Sequence, residues 1–507
     1  MRKKKFSPIF MFLVLTLAVL VISFVLSIFG VQAEYTTINT YTNALQNNVV
    51  QVENMLSAEG LKYIVTNTVS NFANFEPLAM LIIVLMGIGV LEKSGFTKTF
   101  FTLITQNFRK NTITFVLILF GMISSLFGHI GFVVVLPLGA LLFKYGHRHP
   151  LGGVIASFAG VCFGFSLNVF LTSTDTSLLM ITQNAAHVID SAYSIESMFQ
   201  LFIMIVASVV GAILMTRVTE KTIMPMLGKY EFDEIETLDV NLTNRELRGL
   251  ILSIGAALIY LVIIVYMILP GLPLSGGLLD MNGTFYIDKL FGESSLFAQG
   301  FVFIVMFFFL VVGFVYGIVT KTIRSSKDMS ESLRYSLDGM GYVLVLIFVA
   351  SLFISIFNKS NIGTIIVVAL TNLINTFNFG GLGLIIILFV ISILGSLVYT
   401  GVVSKWQMMA GSVVPALMNA SASPEMAQVV YTAGSSLGLA FTPVMAYYIV
   451  YIAIFDKYGK SEASLLGPIK YMRHYGLVMT IMWFIIILAF YITGLPIGVG
   501  TSPVLSF

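Results

Sequence analysis

One acid, Asp175, stands inside the apolar stretch FAGVCFGFSLNVFLTSTDTSLLM, and one base, Lys405, stands beside Trp406 inside GSLVYTGVVSKWQMMAGSVVP. An ionised carboxylate in apolar surroundings costs several kcal/mol unless water, a cation or a partner compensates it, so an acid placed there points to ion binding. Asn168, Thr172, Ser173 and Thr174 surround Asp175, and a later stretch, VVYTAGSSLGLAFTPVMAYYIVY, carries Thr432, Ser435, Ser436 and Thr442. Hydroxyl, amide and unwound carbonyl oxygens suit a hard cation such as Na⁺, and half-helix N-termini attract an anionic substrate. On that chemistry Asp175, Ser173, Thr174 and Ser436 are candidates for ion coupling, and Asn168, Asp175, Thr432 and Ser435 for substrate contact. Lys405 and Trp406 can clamp an aromatic anion by charge and stacking, with Thr400, Gly401 and Ser404 on the same turn. An imidazole can carry a proton near neutral pH, which makes His129 a candidate proton carrier.

Each residue also has a plainer reading. Asp175 suits the N-cap of the half-helix TSLLMITQNAA, small residues pack helices together, and Lys and Trp anchor chains at membrane interfaces. A lone intramembrane His is ordinarily hydrogen-bonded structure, and His147 and His149, among basic residues at a helix foot, read as interfacial. Neither an enzyme nor a channel fits as well as a carrier. HExxH and Walker A patterns are absent, and the polar residues gather at two breaks where a channel needs a continuous polar lining.

The elements that must hold these residues follow from composition and apolar patterning. The chain has 507 residues, 57% hydrophobic and 10% charged, with mean hydropathy +0.96. That is a polytopic, all-α membrane protein with no room for a separate soluble domain. The single cysteine, Cys162, excludes an intrachain disulfide and a thiolate metal cluster. Gly395 to Pro443 is too apolar for an exposed loop and too rich in Gly, Ser, Thr and Pro for an ordinary span. A bilayer tolerates such backbone only where protein buries it or where it lines a polar cavity. The arms around Tyr399 to Lys405 hold about 15 residues each, roughly 20 Å of helix against a ~30 Å hydrocarbon core, so they enter, turn and leave on one side. The same design occurs after Thr112, around the turn Ser124 to His129. Each hairpin is followed by a proline, Pro150 or Pro424, and an interrupted apolar segment. Paired broken segments in corresponding halves point to a secondary transporter with its site at the repeat interface.

Taken in order, residues 1–216 form a first half with a cytoplasmic-side hairpin at about 112–145 and a broken helix at about 150–189. Residues 217–248, carrying Glu231, Asp233, Glu234, Glu236 and Asp239, read as a cytoplasmic linker. Residues 249–507 form the second half, with an outside hairpin at about 383–418 and a broken helix at about 424–456. The run from Pro8 to about Val31 reads as an uncleaved first span, longer than a signal peptide's apolar region. Tyr35 to Glu76 reads as an outside segment with a short amphipathic surface helix, followed by a span from Pro77. Basic residues at both feet of the first hairpin, Arg109, Lys110, Lys144 and Arg148, put those feet in the cytoplasm. The tally is about nine transmembrane helices plus two re-entrant hairpins in inverted-topology repeats, with the N-terminus cytoplasmic and the C-terminus outside.

The runs LMGIGVLEKSG, PLGALLFKYGHRHPLGGVIASFAGVCFGFSLN and TDTSLLMITQNAAHVIDSAY, with SKWQMMAGSVVPALM ahead of the broken YTAGSS segment, resemble the AbgT family of p-aminobenzoyl-glutamate transporters. The resemblance covers the chain from about Leu61 onward. It implies a homodimeric bowl in the bacterial cytoplasmic membrane, with an inner scaffold and an outer transport core. It further implies proton- or sodium-driven carriage of folate-related or drug-like organic anions, by symport or antiport. No other cofactor and no nucleic-acid partner is implied. Related readings on the same fold are a sulfonamide-type efflux pump and a dicarboxylate or peptide carrier. Asp175 matches the family acid after the first hairpin, and Trp406 and Pro424 match its second-hairpin tryptophan and the proline that follows, which brings Pro424 into the substrate set. Where the family pattern has roughly Tyr-Arg-x-Gly-Asp-Ser, this chain has Tyr431-Thr432-Ala433-Gly434-Ser435-Ser436, without the arginine and the aspartate. His129 and Ser396 stand where the family carries Asp and Asn.

Overall fold

The computed structural model describes residues 6–38, 45–230, 242–283, 285–292, 294–376, 379–459 and 465–505. The acidic run at 231–239 expected in the linker lies outside them. Among the described residues nine helices are long and apolar enough to cross a membrane. The number matches the expectation, but the set differs. The first arm of each hairpin, Lys110–Phe127 and Gly381–Val398, reaches 18 residues and counts among the nine, about 27 Å of helix. The two broken spans do not, because each is made of shorter pieces.

Both hairpins are present. Lys110–Ser124 turns through residues 125–129 into Ile130–Tyr145, and Gly381–Val398 turns through 399–401 into Val402–Asn419. Each leads into a helix that opens on proline, Pro150–Gly164 or Pro424–Leu439, where the missing N–H costs nothing. A residue just ahead supplies the cap: His149 Nδ1 accepts from Leu151 N–H at 3.3 Å, and Ser423 Oγ from Met426 N–H at 3.2 Å. Each opening helix then breaks, at residues 165–172 and 440–445, before Ser173–Ala186 and Ala446–Gly459.

The two halves repeat the packing as well as the order of elements. A Cβ added to Gly160 or Gly164 would lie 2.8 Å from Ile118 O or 2.7 Å from Met122 Cα, on the first arm of the first hairpin. One added to Gly434 or Gly438 would lie 2.7 Å from Phe389 O or 2.3 Å from Ile393 O, on the first arm of the second. These pairs of small residues four apart let hairpin and broken span meet backbone to backbone. Gly160 and Gly434, Gly164 and Gly438, and Pro150 and Pro424 are all separated by the same sequence interval.

The hairpins are rooted at opposite ends of one long span, Gly467–Thr493. Near the start of that helix, Tyr475 OH bonds Thr219 Oγ1 at 2.7 Å, and the adjacent Glu220 pairs with Arg148 Nη2 at 2.5 Å at the foot of the first hairpin. Near its end, the Tyr491 hydroxyl crowds Gly381 at the foot of the second. Burial follows function more than position: Pro150–Gly164 and Pro424–Leu439 are buried at every residue, whereas Asn244–Ile268 buries only Gly249, Leu250 and Ser253.

Three local expectations are revised. The segment after the first span holds an antiparallel ribbon, Gln32–Ile38 with Leu45–Gln51, in register Gln32 to Gln51. Its backbone seats on the second hairpin, where Thr36 O would be 2.5 Å from a Cβ on Gly411. The amphipathic stretch is a helix, Ala58–Ala73, that abuts Glu76–Ser94 end to end. The span expected to stop near Met215 runs on to Leu227 through a π-turn at Thr219–Ile223, so the linker begins later than the sequence suggests.

Candidate functional site

The two hairpins and the two broken spans converge on one small cavity of about 30 Å³. Its polar wall is Ser125 from the first turn, Thr172 at the end of the first break with Thr174 and Asp175 on the helix it opens, and Thr432, Ser435 and Ser436 from the second broken span; Val402, the first residue past the second turn, completes the lining. The cavity has room for a cation or a water among these oxygens.

Asp175 is fixed by its own helix start. Its Oδ2 accepts from Thr172 N–H at 2.9 Å and from the Thr172 hydroxyl at 2.7 Å, while Thr172 Oγ1 accepts from Asp175 N–H at 3.1 Å. Thr172 is therefore the N-cap, and Asp175 is the third residue of a reciprocal capping box, a shift from the capping role expected of it. The carboxyl is 7% exposed and is also hydrogen-bonded by the Gln200 side chain. Two buried oxygens nearby, Gln200 Oε1 and Ser435 Oγ, have no partner among the described residues. Ser435 Oγ belongs to the cavity wall, and a buried hydroxyl left unpaired costs about 1–3 kcal/mol, which a bound cation or water removes. Ser436 Oγ donates to Ser166 Oγ at 2.5 Å, tying the two broken spans together. Asn168 Nδ2 donates to Ser125 Oγ at 3.2 Å and so braces the first turn without lining the cavity.

Lys405 and Trp406 face elsewhere. Both are fully buried, on the second arm just past the turn. Lys405 Nζ donates to Ser396 Oγ across the hairpin and lies 5.3 Å from the Tyr431 ring centroid. Trp406 packs at a tilt against Tyr431 with centroids 4.5 Å apart, and its Nε1–H donates to Thr182 Oγ1 at 2.9 Å. A solute reaches Lys405 only when the hairpin arms part from the broken span. Thr400 and Gly401 line a different chamber of about 400 Å³ with Asn358, Asn361 and Thr364, large enough for an organic solute. Ser404 is exposed.

Of the remaining candidates, Ser173 offers its carbonyl to Thr176 and Ser177 hydroxyls, both at 2.9 Å, and stays off the cavity wall. Pro424 opens its helix at the end away from the break. His129 sits on the first turn, 3.4 Å from Glu76, outside the cavity. The structure thus brings Thr174, Asp175, Thr432, Ser435 and Ser436 together, and leaves Lys405 with Trp406, Thr400 with Gly401, Ser173, Ser404, Pro424 and His129 apart.

Several residues of the surroundings were not picked out from sequence. Gln428, the third residue after Glu425, accepts from Thr182 Oγ1 at 2.7 Å, which continues the Trp406 chain. Glu425 is 3% exposed and accepts from Tyr193 OH at 2.9 Å; burial and that carboxylate push the Tyr193 phenol up, so it remains a donor. An acid and an amide one helical turn apart inside PEMAQVV were the available signal.

Paired hairpins, two broken spans and a small polar cavity where they meet are the architecture of a multi-pass membrane transporter. The chain matches the AbgT putative transporter family over residues 3–505 and belongs to that family. It is 28% identical over 499 residues to the p-aminobenzoyl-glutamate transport protein of Escherichia coli (strain K12), covering 98% of this chain and 94% of that one. Among solved structures it is similar to the Alcanivorax borkumensis YdaH transporter, described as having an unusual topology, with 25% identity, TM-score 0.49, and 97% and 100% of the two chains covered. It is also similar to Neisseria gonorrhoeae MtrF, described within a class of antimetabolite efflux pumps, with 29% identity, TM-score 0.49 and 98% of each chain covered.

Proposed function

We propose that this protein is a secondary active transporter that moves a small organic solute across the bacterial cytoplasmic membrane by alternating access, driven by a sodium or proton gradient. The observation that carries this reading is the cavity at Asp175. It holds one carboxylate, an unpaired Ser435 hydroxyl and five further hydroxyls, it fits one small cation, and it is walled by both hairpins. Filling it draws the turns and breaks together; emptying it leaves a buried carboxylate and hydroxyl uncompensated and favours their separation.

The solute is an aromatic or carboxylate-bearing molecule of the kind named for the E. coli relative. Lys405 is the one lysine on the second hairpin, and Thr432 stands where an arginine fork would hold a second carboxylate, so direct ionic contact extends to one carboxylate. The protein works as a homodimer with its N-terminus in the cytoplasm and its C-terminus outside, in keeping with Arg109, Lys110, Lys144, Arg148 and Lys457 at one end of the hairpin assembly.

Uptake of labelled p-aminobenzoyl-glutamate and of 4-aminobenzoate into proteoliposomes tests this. Accumulation should require an imposed Na⁺ or H⁺ gradient, and Lys405→Met should raise the KM for the monoanion roughly tenfold, the value of one charge-assisted contact. Accumulation without any gradient, or a steady current without solute, would count against a coupled carrier.

A further inference from the structure

Away from the Asp175 cavity, a second group of titratable side chains joins three elements that are distant in sequence. His129 lies at the end of the first hairpin turn, Glu76 is the first residue of the helix Glu76–Ser94, and Tyr447 is near the start of Ala446–Gly459, just beyond the second break. His129 Nδ1 is 3.4 Å from Glu76 Oε1. The imidazole stacks on the Tyr447 ring with centroids 4.9 Å apart, and the Tyr447 hydroxyl is within electrostatic reach of the Glu76 carboxylate. That hydroxyl is itself anchored on Met80 Sδ at 3.2 Å, one turn along from Glu76. The other rings around His129 are Phe132 and Phe165. Glu76 and Tyr447 are thus the titratable groups facing it among the described residues.

We infer that Glu76, His129 and Tyr447 form a proton-binding site, separate from the Asp175 cavity, that latches the first hairpin turn to the helix Glu76–Ser94. The tautomer follows from the contacts. A carboxylate opposite Nδ1 keeps the hydrogen on that nitrogen, so Nε2 is the atom that gains or loses a proton. The side chains of His129 and Glu76 are 46% and 51% exposed, so Nε2 is not sealed within the protein. With Nε2 protonated, the Nδ1–H to Glu76 contact is a charge-assisted bond and the turn is held; with Nε2 bare, it is a neutral bond of about half the strength and the turn is freer. The aromatic stack on Tyr447 keeps the imidazole edge on Glu76 in either state. The site ties the first turn to an element outside the hairpin, so proton concentration biases where that turn rests. This rests on reading the first hairpin as a moving part of the carrier.

The test needs no transported solute. Cys162 is the only native cysteine and is fully buried, so Leu126→Cys places one reactive thiol on the turn, three residues before His129. In nanodiscs its labelling by a water-soluble maleimide, corrected for the reagent's own pH dependence with a model thiol, should be slower at pH 6 than at pH 8 by about two- to fivefold, the range a half-exposed pair supports. His129→Gln, which keeps a donor to Glu76 but does not titrate, should remove the pH step, and so should Glu76→Gln. Asp175→Asn should leave it in place. A pH step that survives His129→Gln, or one that disappears in Asp175→Asn, overturns the proposal. A failure of gradient-driven uptake with the step intact would instead fault the transport reading.

Discussion

Asp175→Asn should reduce gradient-driven uptake to background while the protein inserts, folds and melts close to the unaltered chain. Asparagine keeps the shape and presents Oδ1 to the Thr172 amide and hydroxyl, so the capping contacts at 2.9 and 2.7 Å have a substitute acceptor. The cavity loses its charge, because Asp175 is the one carboxylate on its wall. Removing one partner from a buried ionic contact costs roughly 3 kcal/mol, about a hundredfold in cation affinity. A proton-carrying role fails equally, since an amide does not titrate. The measurement is initial uptake rate in proteoliposomes beside a thermal melt of the same preparation. Retained, gradient-dependent uptake would remove Asp175 from the coupling site; a collapsed melt would show that its capping role dominates.

Gly438→Ala should destabilise the protein strongly. The added Cβ would meet Ile393 O at 2.3 Å and Ser396 Cβ at 2.6 Å, and neither a carbonyl within a helix nor a Cβ can swing aside. The first arm of the second hairpin has to shift away from the broken span, at a cost of about 3 kcal/mol, the upper end for overpacking. It carries Ser396 with it and loosens the hydrogen bond from Lys405. Gly255→Ala is the control: it lies on Asn244–Ile268, a Cβ there meets nothing within 4 Å, and helix propensity favours alanine over glycine by about 1 kcal/mol. In detergent, Gly438→Ala should melt several degrees below the unaltered protein and Gly255→Ala should not. Equal melting of all three would show that hairpin and broken span do not meet as described.

Apolar length and interruption made the architecture legible. Arms too short to cross with ease, on either side of a polar turn, foretold hairpins at about 112–145 and 383–418; helices run over Lys110–Tyr145 and Gly381–Asn419 around those turns. Pro150 and Pro424 marked the starts of the broken spans because proline fits the first helical turn. Side-chain direction was not legible. Nothing in YTGVVSKW says that Lys405 turns inward to Ser396 while Val402 faces the cavity, since that depends on how the arm is rotated against Pro424–Leu439. The partner of His129 was hidden for a related reason: Glu76 reads as the last polar residue of a loop, and only the end-to-end meeting of Ala58–Ala73 with Glu76–Ser94 brings it to the first turn. The ribbon at Gln32–Ile38 escaped notice because QAEYTTI and LQNNVVQ alternate weakly and gain their register from seating on Gly411.

The central claim is that the two hairpin turns close on one cavity and must separate for transport. Ser125, on the first turn, and Val402, just past the second, line that cavity from the two hairpins. In a chain with Cys162 replaced by Ala, cysteines at these two positions should be joined by a short bis-methanethiosulfonate reagent. Uptake into proteoliposomes should then stop, and should return when the link is reduced. Failure of the two cysteines to link, or undiminished uptake by the linked protein, would contradict the account.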